Sequence, residues 1–422
     1  MKQVIGFCSV LLGSCAVGCL VLESAPGETS STGSGSSGTS SGGLAGRLIQ
    51  EWTATAPTEP ALEYVLPSWL HMACNSTNRT SQWGPSLMRR PYGPNAARPR
   101  NVGLGWGLSV ENRRRNHVHD SDSWDGPSWN DPTPITAMVK TGAQLDPAGT
   151  NTATRFMTAP NQRSQIAPVP DGFASGWFKG NASKLPIAYF AVGDPAQIWK
   201  FKTIADITEW TRLYAGVGKG GLFIDTAGSD PSGAPSIDGT SELFAFAAQH
   251  ETDGNGAIAL YPSSYIPTDS TDVTRDPDEL WSDAGLTLLP NGYFHVVMRV
   301  ALNYASTEGS STYHHLLFGN LSNQLRIDLK QNKIVLEGSG SILAGPNSGT
   351  LEWIRETELT IEAKVTPTGR YLKVSGAYGG NFEVSDSTDR PWPVLEKFSI
   401  LGDSSGAQEC ADLRYIGFYE PN

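Results

Sequence analysis

Short runs of alternating apolar and polar residues recur along most of the chain. Three clear examples are FHVVMRV at residues 294–300, QLRIDL at 324–329 and LTIEAKV at 359–365. A period of two places the apolar side chains on one face of a strand and the polar ones on the other. Gly, Pro, Asn and Asp, which favour turns, separate the runs. The pattern predicts an all-β protein built from β-sandwiches rather than from a parallel α/β sheet.

The N-terminal end of the chain follows a different pattern. Lys2 precedes an uncharged run over residues 4–22, which ends at Glu23. Such a run is typical of an export signal. Small residues stand directly before Cys19 and Cys15, as in the lipobox of bacterial lipoproteins. We expect Cys19, or alternatively Cys15, to carry a lipid that anchors an exported protein facing the periplasm or the cell exterior. An uncleaved anchor helix is the other interpretation of this run.

The chain divides further by composition. Residues 29–43 are all Ser, Thr or Gly, so they have nothing apolar to bury and form a flexible tether. We divide the chain into a signal region at 1–22, a Ser/Gly/Thr-rich linker at 23–46, an N-terminal extension at 47–100 whose packing the pattern leaves open, a first sandwich at 101–278 and a second sandwich at 279–422.

Charge argues against one class of partner. The 422 residues include 46 Gly and 28 Pro, and 42 acidic residues outnumber 31 Lys and Arg, for a net charge of -11. Affinity for nucleic acid comes largely from cationic side chains on phosphates. Because the chain is acidic and has no Lys/Arg cluster along one face, we predict no nucleic-acid partner. The sequence also contains no strong catalytic motif, so we predict neither an enzyme nor a bound organic cofactor.

Two cysteines, Cys74 and Cys410, fall in the exported body of the protein. Thiols in an oxidising compartment can pair, so a disulfide from the start of the globular part to its end is one prediction. Two separately buried thiols are the alternative. Neither cysteine has a neighbouring His or Cys at the spacing of a zinc site.

Three segments, in order along the chain, carry a resemblance to a known family. They are GLGWGLSVENRRRN at 103–116, DPAGTNTA at 146–153, and a third stretch made of FAAQ at 246–249, YPSSYIPT at 261–268 and VTR at 273–275. They resemble the GLLIE..RTN, DP.GTNTA and GAQLE..PTSYIPT..VTR segments of phage tail and prophage structural proteins. The chain departs from that pattern at Ala247 and Ala248, where Gly-Ala is usual, and by a longer insertion before the Tyr-Pro pair. The resemblance implies a jelly roll of the carbohydrate-binding-module type for the first sandwich, with surface binding roles and no chemistry of its own.

The last third of the chain carries a second resemblance. FSILG at residues 398–402 and ADLRYIGFY at 411–419 are similar to the closing pair of strands in concanavalin A-like, laminin-G-like sandwiches. If the jelly roll is inserted into this second sandwich, Cys74 and Cys410 can meet.

Acidic residues at the junction of the two sandwiches are candidates for structural calcium, which accepts carboxylate and carbonyl oxygens in flexible geometry. They are Asp269, Asp272, Asp276 and Asp278. A soluble linker is the alternative. His117 and His119, followed by Asp120 and Asp122, are a second group of metal-ligating types. Because they directly follow the first resembling segment and no distant third His accompanies them, we predict no metal there.

Three glutamates, Glu352, Glu356 and Glu358, invite comparison with glucanases of the concanavalin-like fold. Those enzymes need two carboxylates that flank the scissile bond. Glu356 and Glu358 would share a strand face, but the Asp between them is missing and Arg355 replaces an apolar residue. A solvated strand face is therefore favoured over hydrolysis.

Aromatic side chains are the candidates for ligand binding. Pyranose C–H groups stack on exposed aromatic rings, and the chain contains 12 Trp. Trp124, Trp129 and Trp199 lie in polar or turn-rich sequence and are predicted to be exposed, whereas Trp177 and Trp210 lie in apolar runs and are predicted to be core. The sequence thus predicts a non-catalytic surface lipoprotein that binds carbohydrate or cell-envelope material. The alternatives are a structural or adhesive module of phage-tail type that contacts other proteins, and a divergent polysaccharide hydrolase.

Overall fold

The computed structural model describes most of the chain between residues 46 and 421. The gaps are 58–62, 78, 83–87, 102, 123, 126–127, 130–135, 138, 159–161, 181–186, 192–197, 201–208, 226–240, 254–258, 260–262, 309–312, 348–349, 378–380 and 404–410. The described strands belong to one compact unit, Ala45–Asn422.

Strands dominate the described residues. The first group is β1 (Leu48–Thr53), β2 (His71–Ala73), β3 (Arg79–Gln82), β4 (Met88–Tyr92), β5 (Pro99–Asn101), β6 (Trp106–Val110), β7 (Arg114–Asn116), β8 (Thr136–Ala137) and β9 (Val139–Gln144). The second is β10 (Ala153–Thr158), β11 (Gln162–Gly180), β12 (Ile187–Ala191), β13 (Ile198–Lys200), β14 (Thr211–Asp225), β15 (Ser241–Thr252), β16 (Val273–Arg275), β17 (Glu279–Ser282) and β18 (Phe294–Leu302). The third is β19 (Tyr313–Asn320), β20 (Asn323–Asp328), β21 (Lys333–Gly338), β22 (Ser341–Gly345), β23 (Glu358–Thr366), β24 (Gly369–Ser375), β25 (Phe382–Asp386), β26 (Phe398–Ile400) and β27 (Ala411–Tyr419).

Helical structure is scarce. Within the described residues, one short α-helix, α1 (Gly285–Leu288), and two 3-10 turns, Pro290–Gly292 and Ser306–Glu308, lie between strands. The all-β prediction is therefore confirmed.

The described strands form three sheets and a hairpin. Sheet 1 has the order β25-β24-β23-β18-β27-β6-β5, and β1 also pairs with β27. Sheet 2 has the order β2-β17-β26-β19-β20-β21-β22. Sheet 3 has the order β13-β12-β14-β11-β15-β10-β9, with β7, β8 and β16 attached beside it, and β3 pairs with β4. The pairings described are antiparallel except that of β8 with β11.

Sheets 1 and 2 enclose one hydrophobic core. Val296 and Met298 of β18 and Ile361 of β23 belong to the same buried cluster as Leu325 of β20 and Leu336 of β21. Along most of β23, buried and partly buried residues alternate, as the sequence pattern predicts for a strand with one face on a core. The two sheets therefore form a β-sandwich.

Strand β20 departs from the predicted alternation. All six of its residues are buried, including the polar Gln324 and Arg326. Both side chains donate to the carboxylate of Glu337 on the neighbouring β21. The face that the sequence assigns to solvent is covered here, and Glu337 pairs with two of its polar side chains.

The N-terminal extension contributes strands to the same sandwich. In sheet 1, β1 pairs with β27 and β5 pairs with β6. In sheet 2, β2 pairs with β17. Strands from the first quarter of the chain thus lie beside strands from its last third.

A second core lies on sheet 3. Trp177 of β11, Phe246 of β15 and Tyr265 belong to a buried cluster that also contains Met88 of the β3–β4 hairpin. Trp177 and Trp210 are 1% and 7% exposed, so both lie in the core as predicted.

Candidate functional site

A polar cleft of about 700 Å³ opens beside β16. Hydroxyl, amide and carboxylate groups from four parts of the chain line it: Asn75, Ser76, Thr77, Asp122, Thr150, Tyr265, Asp269 and Asp276. Small-molecule sites in proteins enclose about 300–1,000 Å³, so this polar cleft has the size of a ligand site. The lining also includes two arginines, Arg79 and Arg275, and the apolar Ile266, Pro267 and Val273.

Short hydrogen bonds fix two walls of the polar cleft. The backbone N–H of Asp276 donates to Ser76 Oγ at 2.7 Å, which ties the segment after β2 to the segment before β17. Tyr265 Oη donates to Asp122 Oδ1 at 2.5 Å and lies 2.6 Å from Ser121 Oγ. Hydrogen bonds within the protein are therefore enough to hold these groups in place.

Thr150 reaches the polar cleft from the DPAGTNTA turn. The Asp146 carboxylate accepts hydrogen bonds from the N–H of Ala148 at 2.7 Å, the N–H of Thr150 at 3.1 Å and Thr152 Oγ1 at 2.6 Å. Asp commonly organises turns by bonding to the backbone that follows it. The turn ends where β10 begins at Ala153.

A buried ion network adjoins the polar cleft, and two of its arginines, Arg79 and Arg275, also line the cleft. It consists of Arg79, Arg98, Arg275, Glu111 and Asp278. Asp278 accepts from Arg79 Nη1 at 2.6 Å and from Arg98 Nη2 at 2.5 Å, and all three side chains are fully buried. Glu111 lies 2.8 Å from Arg98 and 3.0 Å from Arg275. Burial opposes ionisation of Glu111, but Arg275 and Arg98 hold its pKa well below the ordinary value.

The four acids of the predicted calcium group have two different environments. Asp272 and Asp278 have cationic partners within the protein. Asp269 and Asp276 line the polar cleft, and no described residue pairs with their carboxylates. Among the described residues, no group of three or more His, Cys, Asp or Glu side chains has a geometry that could hold a metal ion.

The two histidines after β7 converge on Asp272. His117 Nδ1 lies 2.7 Å and His119 Nε2 lies 2.9 Å from its carboxylate, and Arg115 contacts it at 2.9 Å. His117 Nε2 also lies 3.0 Å from Thr252 Oγ1. Burial lowers the pKa of His117, and the neutral ring satisfies both contacts by donating to Asp272 and accepting from Thr252. This cluster binds the segment before β16 to the segment after β7.

The structure corrects the prediction of exposed tryptophans. Trp124 is 0% and Trp129 is 5% exposed, so neither ring offers a face to a sugar. Their rings stack on each other with centroids 4.3 Å apart, and Trp124 also contacts Phe156 edge-on. Trp199 lies on β13, and its ligand-binding role stays a prediction.

A second cavity, of about 440 Å³, lies beside β2 and β17. We call it the tryptophan groove; its lining includes Glu63, Tyr64, Leu66, His71, Met72 and Trp281. Among the tryptophan side chains that the structure describes, only Trp281 and Trp106 are not buried. Sequence reasoning missed Trp281, because its half-buried position between the buried Leu280 and Ser282 is evident only in the structure.

Two of the three glutamates compared with glucanases, Glu356 and Glu358, are held in ion pairs, and Glu352 accepts from Thr350 Oγ1 at 3.4 Å. Glu356 precedes β23 and has a φ of 63°, so strand alternation does not set its direction, and Arg100 bridges it to Asp412. Burial raises the pKa of Asp412 to about 6, in spite of Arg100. Glu358 lies 3.5 Å from Arg414. Neither glutamate lines the polar cleft or the tryptophan groove.

Of the four cysteines with a prediction, the structure describes only Cys74. Cys74 is buried, its Sγ lies 3.6 Å from the Asp276 carbonyl oxygen, and burial raises its pKa. Cys410, Cys19 and Cys15 lie outside the described residues, so the disulfide and the lipid anchor stay predictions. None of the helices in the described part of the chain is long and apolar enough to cross a membrane.

Comparisons with known proteins give no family. No family model matches the sequence, and no curated protein matches it. Domains LG4-5 of the mouse laminin alpha1 chain are one solved structure to which this chain is similar, at 10% identity and a TM-score of 0.20, over 86% of this chain and 92% of that chain. The all-β fold class therefore rests on the strands themselves.

Proposed function

We propose that the protein is a non-catalytic binding module whose polar cleft takes a polyhydroxylated ligand, a glycan of the cell envelope or its surroundings. The observation that carries this is the lining of the polar cleft. Carboxylates of Asp269 and Asp276 that lack a described partner stand beside the hydroxyls of Ser76, Thr77 and Thr150. A sugar hydroxyl both donates and accepts, so it can bond to a carboxylate and a hydroxyl at once.

The rest of the proposal concerns where the protein works. The uncharged N-terminal run and the Ser/Gly/Thr linker support export and attachment to a membrane through a lipid on Cys19 or Cys15. The tether would then hold the sandwich away from that membrane. Labelling with radioactive palmitate, and its loss in Cys19→Ala or Cys15→Ala, tests the anchor and chooses between the two cysteines.

Binding is tested with a glycan array followed by titration calorimetry on the intact chain. We expect Asp276→Ala and Asp269→Ala to weaken binding about tenfold or more, because a hydrogen bond to a charged group contributes about 1.5–3 kcal/mol. Glu279→Ala is the matched control, since Glu279 is an exposed acid three residues after Asp276 that is outside the lining. Binding of no glycan by the wild type would refute the proposal, as would equal loss in the control.

A further inference from the structure

The tryptophan groove presents a half-buried indole. Trp281 of β17 lies opposite His71 of β2 in the strand register, and the two rings stack with centroids 5.6 Å apart. His71 Nε2 lies 2.9 Å from the Asp283 carboxylate. Lys397 Nζ lies 4.3 Å from the centroid of the Trp281 ring. Protein groups thus hold the indole in a fixed position.

Lys397 is the movable part of this arrangement. It is exposed, and a lysine side chain has several rotatable bonds and three N–H donors. A ligand that approaches the indole can displace the ammonium from the ring or accept a hydrogen bond from it. The ring face and a donor beside it are the two features that a pyranose uses, its C–H groups on the ring and its hydroxyls on polar groups.

The polar cleft and the tryptophan groove border the same pair of segments. After β2, Asn75 and Ser76 line the polar cleft, and four residues before Asn75, His71 lines the tryptophan groove. On the paired segment, Asp276 lines the polar cleft and Trp281 lines the groove. Four residues of extended chain span about 13 Å at ~3.3 Å per residue, so the two cavities are separated by a length that a short oligosaccharide can bridge.

We propose that the tryptophan groove is a second subsite for the ligand of the polar cleft, which makes that ligand an extended oligosaccharide rather than a single sugar. The inference rests on the proposed function, and it adds that the protein recognises the length of the oligosaccharide. Trp281 supplies the apolar platform at one end, and the acids and hydroxyls of the polar cleft bind at the other.

The test compares chain lengths. Oligomers of β-1,4-linked N-acetylglucosamine and of β-1,4-linked glucose, together with size-graded oligomers of any polysaccharide that the array retains, are titrated from disaccharide to hexasaccharide. We expect wild-type affinity to rise with length. We expect Trp281→Ala to remove about tenfold of that affinity for the longest oligomers and to leave the disaccharide unaffected. Trp106→Ala, at the other half-buried tryptophan, is the matched control.

Each other outcome has a separate meaning. Wild-type affinity that does not depend on length overturns this inference and leaves the proposed function standing. Equal weakening of short and long oligomers by Trp281→Ala also overturns it, because a structural role affects both. Lys397→Ala covers the case in which Trp281→Ala fails to fold: a change confined to long oligomers supports the inference, and none at any length opposes it. Binding of no oligomer overturns the proposed function as well.

Discussion

The buried ion network allows a sharp prediction for Asp278→Asn. The Asp278 carboxylate accepts from Arg79 at 2.6 Å, from Arg98 at 2.5 Å and from the backbone N–H of Glu111 at 3.0 Å. The network contains three arginines and two carboxylates, so its charge is one positive unit. The substitution raises this to two positive units in a region where the Asp278, Arg79 and Arg98 side chains are fully buried.

The magnitude follows from the loss of one partner in a buried pair. Removing one partner of a buried ion pair destabilises by about 3–5 kcal/mol, because it leaves an uncompensated charge without water. The amide group introduced by the substitution would in addition point an N–H donor towards an arginine donor. Since folded domains are stable by only about 5–15 kcal/mol, we expect a large fraction of the free energy of unfolding to disappear.

Urea unfolding followed by tryptophan fluorescence measures this change, with the denaturant slope as the check on two-state behaviour. Asp276→Asn is the matched control, because Asp276 lies two residues away and its carboxylate pairs with no described residue. We expect the control to stay within about 0.5 kcal/mol of wild type. A loss for Asp278→Asn below about 1 kcal/mol, or one equal to the control, would show that the network is not the buried charge balance inferred from the structure.

Two further predictions concern the backbone at two glycines and the titration of Asp412. Gly292→Ala should destabilise the fold by more than Gly340→Ala: both glycines have positive φ (80° and 74°), but an added Cβ meets the Trp392 backbone at Gly292 and nothing at Gly340. We expect about 1–2 kcal/mol for Gly340→Ala and a larger loss for Gly292→Ala; equal melting temperatures would contradict this. The folded pKa of Asp412, about 6, lies above its ordinary 3.8, so its contribution to stability is present below pH ~4 and is lost as pH rises through ~6, by up to about 3 kcal/mol. The free energy of unfolding, measured with urea at pH values from 4 to 7.5, should change with pH at different slopes in wild type and in Asp412→Asn over this window. Parallel curves would contradict the assignment.

The strands could be predicted from the sequence because alternation is a local property. β23 alternates in the structure as its sequence predicts, because one face lies on the core and the other is open. β20 alternates in sequence, but Glu337 of the next strand pairs with its polar side chains, which is a tertiary contact. A pattern along one strand therefore predicts the strand and not the environment of its second face.

The binding residues could be predicted only in part. Trp124 has polar neighbours in sequence, yet Phe156 and Phe178 from other strands cover its ring. The sequence indicates the acids of the junction. Which of them line the polar cleft depends on ion pairs with Arg79 and Arg115, which lie far away in the sequence. The polar cleft is lined both by residues 75–77 and by residues between 265 and 276. These stretches lie far apart in the sequence, so no local pattern predicts that they meet.

Two of the three sequence segments, the first at residues 103–116 and the third, which ends at residue 275, meet in the buried hydrogen-bond network. The first segment supplies Glu111, which accepts from the N–H and Oγ of Ser264 at 2.5 Å, and Asn116, which donates to the Ile266 carbonyl at 2.8 Å. Ser264 and Ile266 belong to the third segment, as does Arg275, 3.0 Å from Glu111.

Each of these two segments holds the partner of a buried polar group in the other, so a change in one leaves an unsatisfied group in the other. Tyr265, Ile266 and Arg275 of the third segment line the polar cleft, so this network supports the cleft wall. Asn75, Asp269 and Asp276 line the polar cleft but lie outside the three segments. We therefore expect ligand specificity to change through these three residues while the supporting network stays the same.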